Sequence, residues 1–252
     1  MQRIVQKFGG TSVGSISKIK KVCELIKKEF ENGNQVVVVS SAMSGETNKL
    51  VDLAENFDVT NNKKEYDMIV STGEQISIAL ISMALKEIGM HAKPLLGWQV
   101  PIIGSKEQTK AKINKIDNKL LLKIINNNEI PIIAGFQGVD DDNNIVTLGR
   151  GGSDTSAVAI AAAISADRCD IYTDVDGIYT CDPRMVSKAK KLERISYEEM
   201  LEFASLGAKV LQTRSVEMAM RHNVTVQVLS SQTGKKGTFL TKEDKKMENE
   251  LV

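Results

Sequence analysis

Short β-branched apolar segments alternate with helical patterns along this 252-residue chain. The predicted strands cover residues 3–8, 35–41, 129–134, 169–173 and 224–229. Helical patterns cover residues 15–32, where apolar positions share one face, and residues 153–165, where Ser153 is the expected N-cap of an Ala-rich run. This alternation predicts an α/β fold with a mostly parallel sheet.

A polar turn divides two extended runs in the second half of the chain. Residues 139–144 carry three Asp and two Asn, which are typical turn residues. We expect a β-hairpin at this point, as a lid or on the rim of the fold.

Composition restricts the class of protein. Lys and Arg number 33 against 32 Asp and Glu, so the net charge of +1 argues against a nucleic-acid binder. A chain of this length can bury a core without a disulfide or metal, and the three widely spaced cysteines suggest reduced intracellular thiols. The longest apolar run, residues 157–164, is too short to span a bilayer. We therefore expect a cytoplasmic protein with no membrane partner.

The first chemical motif is Lys7-Phe8-Gly9-Gly10-Thr11-Ser12, which lies between a predicted strand and a predicted helix. Backbone N–H groups in such a turn, together with the helix dipole, can receive an anion. Ser15-Ile16 replaces the Lys-Ser/Thr pair of a phosphate-binding P-loop, so this is not that motif. The glycines alone are equally consistent with a structural turn, but Lys7 beside them favours an anion site.

A second glycine-rich turn, residues 149–154, also runs into a helix. It combines three glycines with Arg150 and Asp154. Capping by Ser153 and a first-turn Asp154 would explain part of this composition. The alternative is that Arg150 binds a carboxylate or phosphate through its planar fork, in a chain with only seven arginines.

A third cluster, residues 173–184, follows a strand, where open α/β sheets bind ligands. A structural turn explains its Asp-Gly and Asp-Pro pairs but not Tyr179 and Arg184. Residues 40–47, 71–74 and 207–209 are weaker candidates that could equally be structural.

Taken together, these motifs closely resemble those of aspartate kinases of the amino acid kinase fold. The matching segments are KFGGTSVG (7–14), VSSAMSGETNKL (39–50), STGEQ (71–75), GFQG (135–138), LGRGGSDTSA (148–157), residues 173–184 and GAKVLQTRS (207–215). The resemblance covers residues 2–240. It implies a three-layer α-β-α sandwich in which residues 1–240 are the catalytic domain.

The resemblance also implies a role for individual residues. The implied catalytic residues are Lys7, Asp154 and Lys209, with Asp154 organising the lysines. The implied amino acid site contains Thr47, Glu74, Arg150, Gly151, Gly152 and Ser153, with Glu74 receiving the ammonium group and Arg150 the α-carboxylate. The implied ATP site contains Lys7, Phe8, Gly9, Gly10, Thr173, Asp174, Tyr179, Arg184, Lys209 and Val210.

The implied reaction is transfer of the γ-phosphoryl group of ATP to the side-chain carboxylate of L-aspartate. It gives 4-phospho-L-aspartate and begins the pathway to lysine, threonine, methionine and diaminopimelate. Mg²⁺ is expected to arrive with ATP rather than on protein side chains, and a homodimer or larger oligomer is expected. The alternatives are another amino acid or a carbamate-like anion as acceptor, and a nucleotide-binding regulatory module without turnover.

Many members of the resembled family continue into paired small-molecule-sensing ACT domains. Residues 241–252 are charged and are expected to be a tail or a shortened linker. On this expectation the chain is a catalytic fragment or a naturally unregulated form, and millimolar lysine or threonine leaves its activity unchanged.

Overall fold

The computed structural model describes residues 1–183, 185–186, 188–206, 210–233 and 235–243. Its strands are β1 (Arg3–Phe8), β2 (Gln35–Ser40), β3 (Ala92–Leu95), β4 (Ile102–Gly104), β5 (Ile113–Ile116), β6 (Ile130–Ala134), β7 (Gln137–Val139), β8 (Ile145–Thr147), β9 (Arg168–Thr173), β10 (Arg194–Ser196), β11 (Val226–Ser230) and β12 (Thr238–Thr241). Its helices are α1 (Ile16–Glu31), α2 (Glu46–Ala54), α3 (Lys63–Val70), α4 (Thr72–Glu87), α5 (Lys119–Asn126), α6 (Gly152–Ala163), α7 (Tyr197–Ser205) and α8 (Thr213–His222).

Eight strands form the main sheet in the order β10-β12-β11-β9-β1-β2-β6-β3. Neighbouring strands are parallel except β11 and β12. In this register Phe8 lies opposite both Ser40 and Tyr172, so β1, β2 and β9 end together at one edge of the sheet. Ligands of open α/β sheets bind at this edge.

A second, four-stranded sheet has the order β5-β4-β7-β8. Its strands β7 and β8 are antiparallel, with Val139 opposite Ile145 across the Asp- and Asn-rich turn. The hairpin predicted at residues 139–144 is therefore confirmed.

Helices cover both faces of the main sheet. One face carries Val5 and Val37 and packs against α5, α6, α7 and α8, while the other carries Phe8 and Val38 and packs against α1 and α4. Apolar surface is thereby removed from water on both sides, as a buried parallel sheet requires. The predicted three-layer sandwich is confirmed.

Three sequence predictions differ from the structure at element ends. Ser153 is not the N-cap of α6, because Gly151 occupies that position at φ +72° and Ser153 lies within the first turn. The predicted strand 224–229 begins at Val226. The expected charged tail from residue 241 starts too early, since Thr241 is still part of β12; residues 244–252 lie outside the described residues.

Lys63–Glu87, which joins α3 and α4, is the one helical stretch among the described residues that could cross a bilayer by length and composition. Half of its most apolar window is buried inside the fold. Ile78, Ile81 and Leu85 from this stretch belong to the core beneath the main sheet. These three side chains therefore pack inside the fold.

Candidate active site

A pocket of about 350 Å³ opens at the edge of the main sheet where β1, β2 and β6 end. Its lining comes from five chain segments that end or follow these strands or begin a helix. The lining residues are Lys7, Gly10, Ser41, Ala42, Met43, Ser44, Gly45, Thr47, Asn48, Glu74, Phe136, Gly149, Arg150, Gly151, Gly152, Ser153 and Asp154. The pocket thus brings together every residue predicted for the amino acid site.

Lys7 and Asp154 form an ion pair at the base of this pocket. The Lys7 ammonium lies 2.6 Å from Oδ1 of Asp154, and both side chains are about nine-tenths buried. Lys7 is near the end of β1 and Asp154 is in the first turn of α6, so the two come from different layers. A charge pair removed from water keeps its geometry because neither partner can be left alone without a large desolvation cost.

The glycine-rich turn after β1 packs closely on the turn after β2. A Cβ on Gly10 would lie 2.8 Å from the carbonyl oxygen of Ala42, and Ser44 donates its backbone N–H to the Gly10 oxygen at 3.2 Å. Only glycine permits this approach. Gly9, which was predicted to supply an amide to the ligand, donates its N–H to the Tyr172 oxygen at 3.3 Å.

Glu74 is a buried carboxyl group in the first turn of α4. Its Oε1 accepts the Ala42 N–H at 3.0 Å, and its Oε2 is buried without a hydrogen-bond partner among the described residues. Desolvation raises the pKa of Glu74 to about 7, although the hydrogen bond from Ala42 opposes the shift. A buried, unpartnered carboxylate oxygen beside a pocket is a site for a cation or a hydrogen-bond donor.

The Arg150 loop has little room for side chains. Gly149 and Gly151 have φ +71° and +72°, and a Cβ on Gly151 would overlap the side chain of Gln212. The Arg150 side chain is exposed and forms no hydrogen bond or ion pair with the described residues. Its guanidinium is therefore available to a ligand in the pocket, where it can bind a carboxylate through two N–H groups.

Of the residues predicted for ATP, Lys7 and Gly10 line the pocket, whereas Phe8, Gly9, Thr173, Asp174, Tyr179 and Val210 are not in its lining. Thr173 ends β9, next to β1, and its hydroxyl donates to Asp174 at 2.9 Å. The Tyr179 hydroxyl donates to Asp176 at 3.0 Å, and Val210 is half-buried. Arg184 and Lys209, also predicted for this site, lie outside the described residues.

Phe8 differs from the other predicted residues because its side chain is in the core. The ring is fully buried and stacks on Tyr172, with centroids 4.6 Å apart. Only the Phe8 backbone is near the turn that follows β1.

Phe136 lines the pocket and carries no sequence prediction of its own. It has φ +66°, a conformation that is rare for a bulky residue, and Ser156 of α6 accepts its N–H at 3.1 Å. The segment GFQG contained it, but nothing in a phenylalanine indicates a left-handed backbone. Ser44 lies within residues 40–47, the weaker candidate region after β2, and Asn48 directly follows that region.

A larger cavity, of about 470 Å³, lies on the second sheet. Its walls are mainly apolar and include Met68, Trp98 and Ile103. It lacks the opposed charges and glycine turns of the pocket at the strand ends, which is the better candidate for a charged substrate. Among the described residues, no three His, Cys, Asp or Glu side chains are grouped to hold a metal ion.

Residues 2–230 match the model of the amino acid kinase family. The chain belongs to this family. Among curated relatives, an aspartate kinase of Pseudomonas putida is 53% identical over 253 aligned residues, which cover the whole of this chain and 62% of the relative. An aspartokinase of Rickettsia felis is 49% identical, again over the whole chain and 64% of the relative. The chain thus spans about three fifths of the length of these relatives.

A solved structure points the same way. E. coli aspartokinase III in complex with aspartate and ADP superposes with a TM-score of 0.87 at 29% identity, over 96% of this chain and 65% of that protein. The three-layer architecture is therefore that of the amino acid kinase family.

Proposed function

We propose that this chain is an aspartate kinase, which transfers the γ-phosphoryl group of ATP to the side-chain carboxylate of L-aspartate. One observation carries the proposal: an exposed guanidinium without a partner among the described residues, and a buried carboxyl group with one unpartnered oxygen, line the same pocket as the Lys7–Asp154 ion pair. An α-amino acid offers the complementary groups, a carboxylate and an ammonium. The similarity to aspartate kinases adds support.

In this proposal the amino acid backbone of aspartate lies between Arg150 and Glu74. Arg150 receives the α-carboxylate, and Glu74 receives the ammonium group through its Oε2. Thr47, Gly151, Gly152 and Ser153 complete the substrate wall. The side-chain carboxylate then points toward Lys7.

ATP is proposed to bind at the neighbouring strand ends, with Mg²⁺ carried by the nucleotide. Thr173 ends β9 on that side, and Asp174, Tyr179, Arg184, Lys209 and Val210 are assigned to the nucleotide from the sequence resemblance. Lys7 and the backbone of Gly9 and Gly10 stand between the two substrates. This arrangement suits an in-line transfer, in which positioning and charge stabilisation do most of the work.

The chemistry requires charge compensation more than proton transfer. The side-chain carboxyl group of aspartate, with an ordinary pKa of about 3.9, is ionised at neutral pH and needs no general base. Its approach to a phosphate is opposed by about 4 kcal/mol per pair of unit charges at 4 Å, for an effective dielectric of 20. Lys7 offsets this repulsion, and Asp154, 2.6 Å from its ammonium, orients it.

The test traps the acyl phosphate product with hydroxylamine. Aspartate, glutamate and N-acetylglutamate are assayed side by side with ATP and Mg²⁺, and only aspartate should give a substantial signal. A signal from glutamate or acetylglutamate instead would reassign the acceptor, and no signal from any of them would reject the kinase proposal.

The matched variant is Lys7→Ala. Because Lys7 acts on the transferring group, its loss should lower kcat by about a hundredfold or more and change the KM for aspartate much less. An unchanged kcat in steady-state assays would remove Lys7 from the mechanism. An oligomer of at least two chains and a cytoplasmic location are proposed on family resemblance alone.

A further inference from the structure

Asp67 is a fully buried carboxylate that lies outside the pocket. It belongs to α3 and accepts three hydrogen bonds: from the Thr109 N–H at 2.9 Å, the Thr147 N–H at 3.0 Å and the Thr147 hydroxyl at 2.6 Å. Burial of a charge is costly, and three hydrogen bonds offset that cost for Asp67. The same bonds fix the backbone that supplies the donors.

Arg214 holds the same two segments of backbone through their carbonyl groups. Its Nη1 donates to the Leu148 oxygen at 2.6 Å and its Nη2 to the Ala111 oxygen at 3.2 Å. The two segments are also joined directly, because Ala111 donates its N–H to the Thr147 oxygen at 2.9 Å. The backbone at 109–111 and 147–148 is thus held on two sides: Asp67 of α3 accepts from its N–H groups, and Arg214 of α8 donates to its carbonyl groups. We call this pair of side chains and the backbone that they hold the clamp.

The residues that follow this clamp are Gly149 and Arg150. Leu148 is buried and donates its N–H to the Phe136 oxygen at 2.9 Å, and a Cβ on Gly149 would lie 3.1 Å from the Thr109 oxygen. The Arg150 side chain has no partner among the described residues to hold it. Its position therefore depends on the backbone at Thr147 and Leu148.

We propose that Asp67 and Arg214 are positioning residues for the amino acid substrate: by anchoring Thr147 and Leu148 they set where Arg150 presents its guanidinium to the substrate carboxylate. Neither residue lines the pocket. The inference rests on the proposed aspartate kinase activity, because it concerns the loop that receives the α-carboxylate.

The first test is Asp67→Asn in the 252-residue chain. Asparagine keeps the shape, but its single acceptor oxygen cannot serve three donors and its NH₂ group faces a backbone N–H. We expect the KM for aspartate to rise about tenfold, as for the loss of a buried charge-assisted hydrogen bond, with the KM for ATP and kcat within about twofold. Arg214→Lys, which cannot reach both carbonyls, should show the same split.

A milder pair of variants keeps the test decisive if Asp67→Asn folds poorly. Thr147→Val removes one donor to Asp67, whereas Thr147→Ser keeps the hydroxyl. The valine variant should raise the KM for aspartate about threefold to tenfold, and the serine variant should restore it to within about twofold of wild type.

Asp170→Asn is the matched control. Asp170 is also a buried carboxylate, hydrogen-bonded by Arg168 at 2.9 Å, but it lies in β9 on the opposite face from α6 and does not line the pocket. The Asp170→Asn variant should have a lower melting temperature and an unchanged KM for aspartate. KM does not depend on the fraction of folded enzyme, so a loss of stability alone cannot imitate the expected result.

Two outcomes would overturn the inference in distinguishable ways. If the wild-type chain phosphorylates aspartate and the Asp67 and Thr147 variants lose stability at unchanged KM for aspartate, the clamp is structural only and the proposed function stands. If the wild-type chain neither phosphorylates nor binds aspartate, the proposed function fails, and the role given to Asp67 and Arg214 fails with it.

Discussion

Glu74 combines two properties that oppose each other at the level of a single residue. It is 3% exposed, and one of its oxygens has no hydrogen-bond partner among the described residues. Its charge is therefore costly to the folded chain, yet that same charge is what a substrate ammonium would require. Binding sites often retain such groups at the expense of stability.

Replacing Glu74 by Gln should make the chain more stable in a pH-dependent way. The pKa of Glu74 in the folded chain is about 7, above its ordinary value of 4.5, so the folded state binds the proton more tightly than the unfolded state. The stability that the protonated group contributes is complete below pH 4.5 and is lost as the pH rises through about 7.

Glu74→Gln removes this loss. Relative to wild type, the variant should gain on the order of 2–3 kcal/mol of unfolding free energy between about pH 5 and pH 8. Urea unfolding at several pH values measures the difference directly. Gln75→Glu, one position along the same helix turn, is the control for a change of one unit of charge at this end of α4. A pH-independent difference for Glu74→Gln would mean that its carboxyl group is not the titrating site.

At the level of an element, α6 shows how packing positions chemistry. Ten of its residues are buried, from Gly152 to Ala161, and its small side chains allow it to lie against the sheet beside Val5. Asp154 and Ser153 are in its first turn. The body of the helix therefore sets where these two side chains enter the pocket.

Ala157→Val should disturb both packing and the site. Ala157 is fully buried, so two added methyl groups should cost about 1–3 kcal/mol of unfolding free energy. The shift of the helix should also lower kcat, since Asp154 lies three residues before Ala157 in the same helix. Urea unfolding and steady-state turnover give the two readouts.

Ala163→Val provides the matched control within the same helix. Ala163 is only partly buried, so the variant should show the helix-propensity cost alone, up to about 0.7 kcal/mol, with unchanged kcat. Equal effects at both positions would show that helix propensity, rather than crowding at Ala157, is responsible.

The sequence predicted those elements whose signals are local. The strand Arg3–Phe8 and the helix predicted over residues 15–32 are confirmed, because alternation, a one-sided apolar pattern and glycines lie within one short window; the helix itself runs from Ile16 to Glu31. The second sheet was not predicted beyond its hairpin, since β4, β7 and β8 have only three residues each and no resolvable period. Ser153 was assigned as a cap because Gly151, at positive φ, resembles any other loop glycine.

Contacts between distant segments were also beyond the sequence. Asp67 meets Thr147 from 80 residues away, and Arg214 meets Leu148 from 66 residues away. Neither residue type indicates such a partner, since surface Asp and Arg are more common than buried ones. By contrast, the pocket residues were identified by motif, and their assembly follows from the parallel register that places the strand ends together.

At the level of the whole molecule, the two proposed substrates occupy adjacent parts of one sheet edge. The proposed amino acid side is where β2 and β6 end, and the proposed nucleotide side is where β9 ends, with β1 and its Lys7 between β9 and β2 in the sheet. A ligand that binds only the folded state stabilises it, by about 2.7 kcal/mol at a hundred times its Kd. ADP and aspartate should therefore each raise the melting temperature, by roughly 5–10 °C for a chain of this size.

Arg150→Lys should separate these two stabilising effects. Lysine keeps the positive charge but lacks the planar fork, so the shift produced by aspartate should largely disappear at the concentration that suffices for wild type. The shift produced by ADP should remain, because Arg150 is proposed to bind the amino acid and not the nucleotide. Differential scanning fluorimetry with each ligand alone makes the comparison. A parallel loss of both shifts would indicate a defect in folding, and an undiminished aspartate shift would remove Arg150 from the amino acid site.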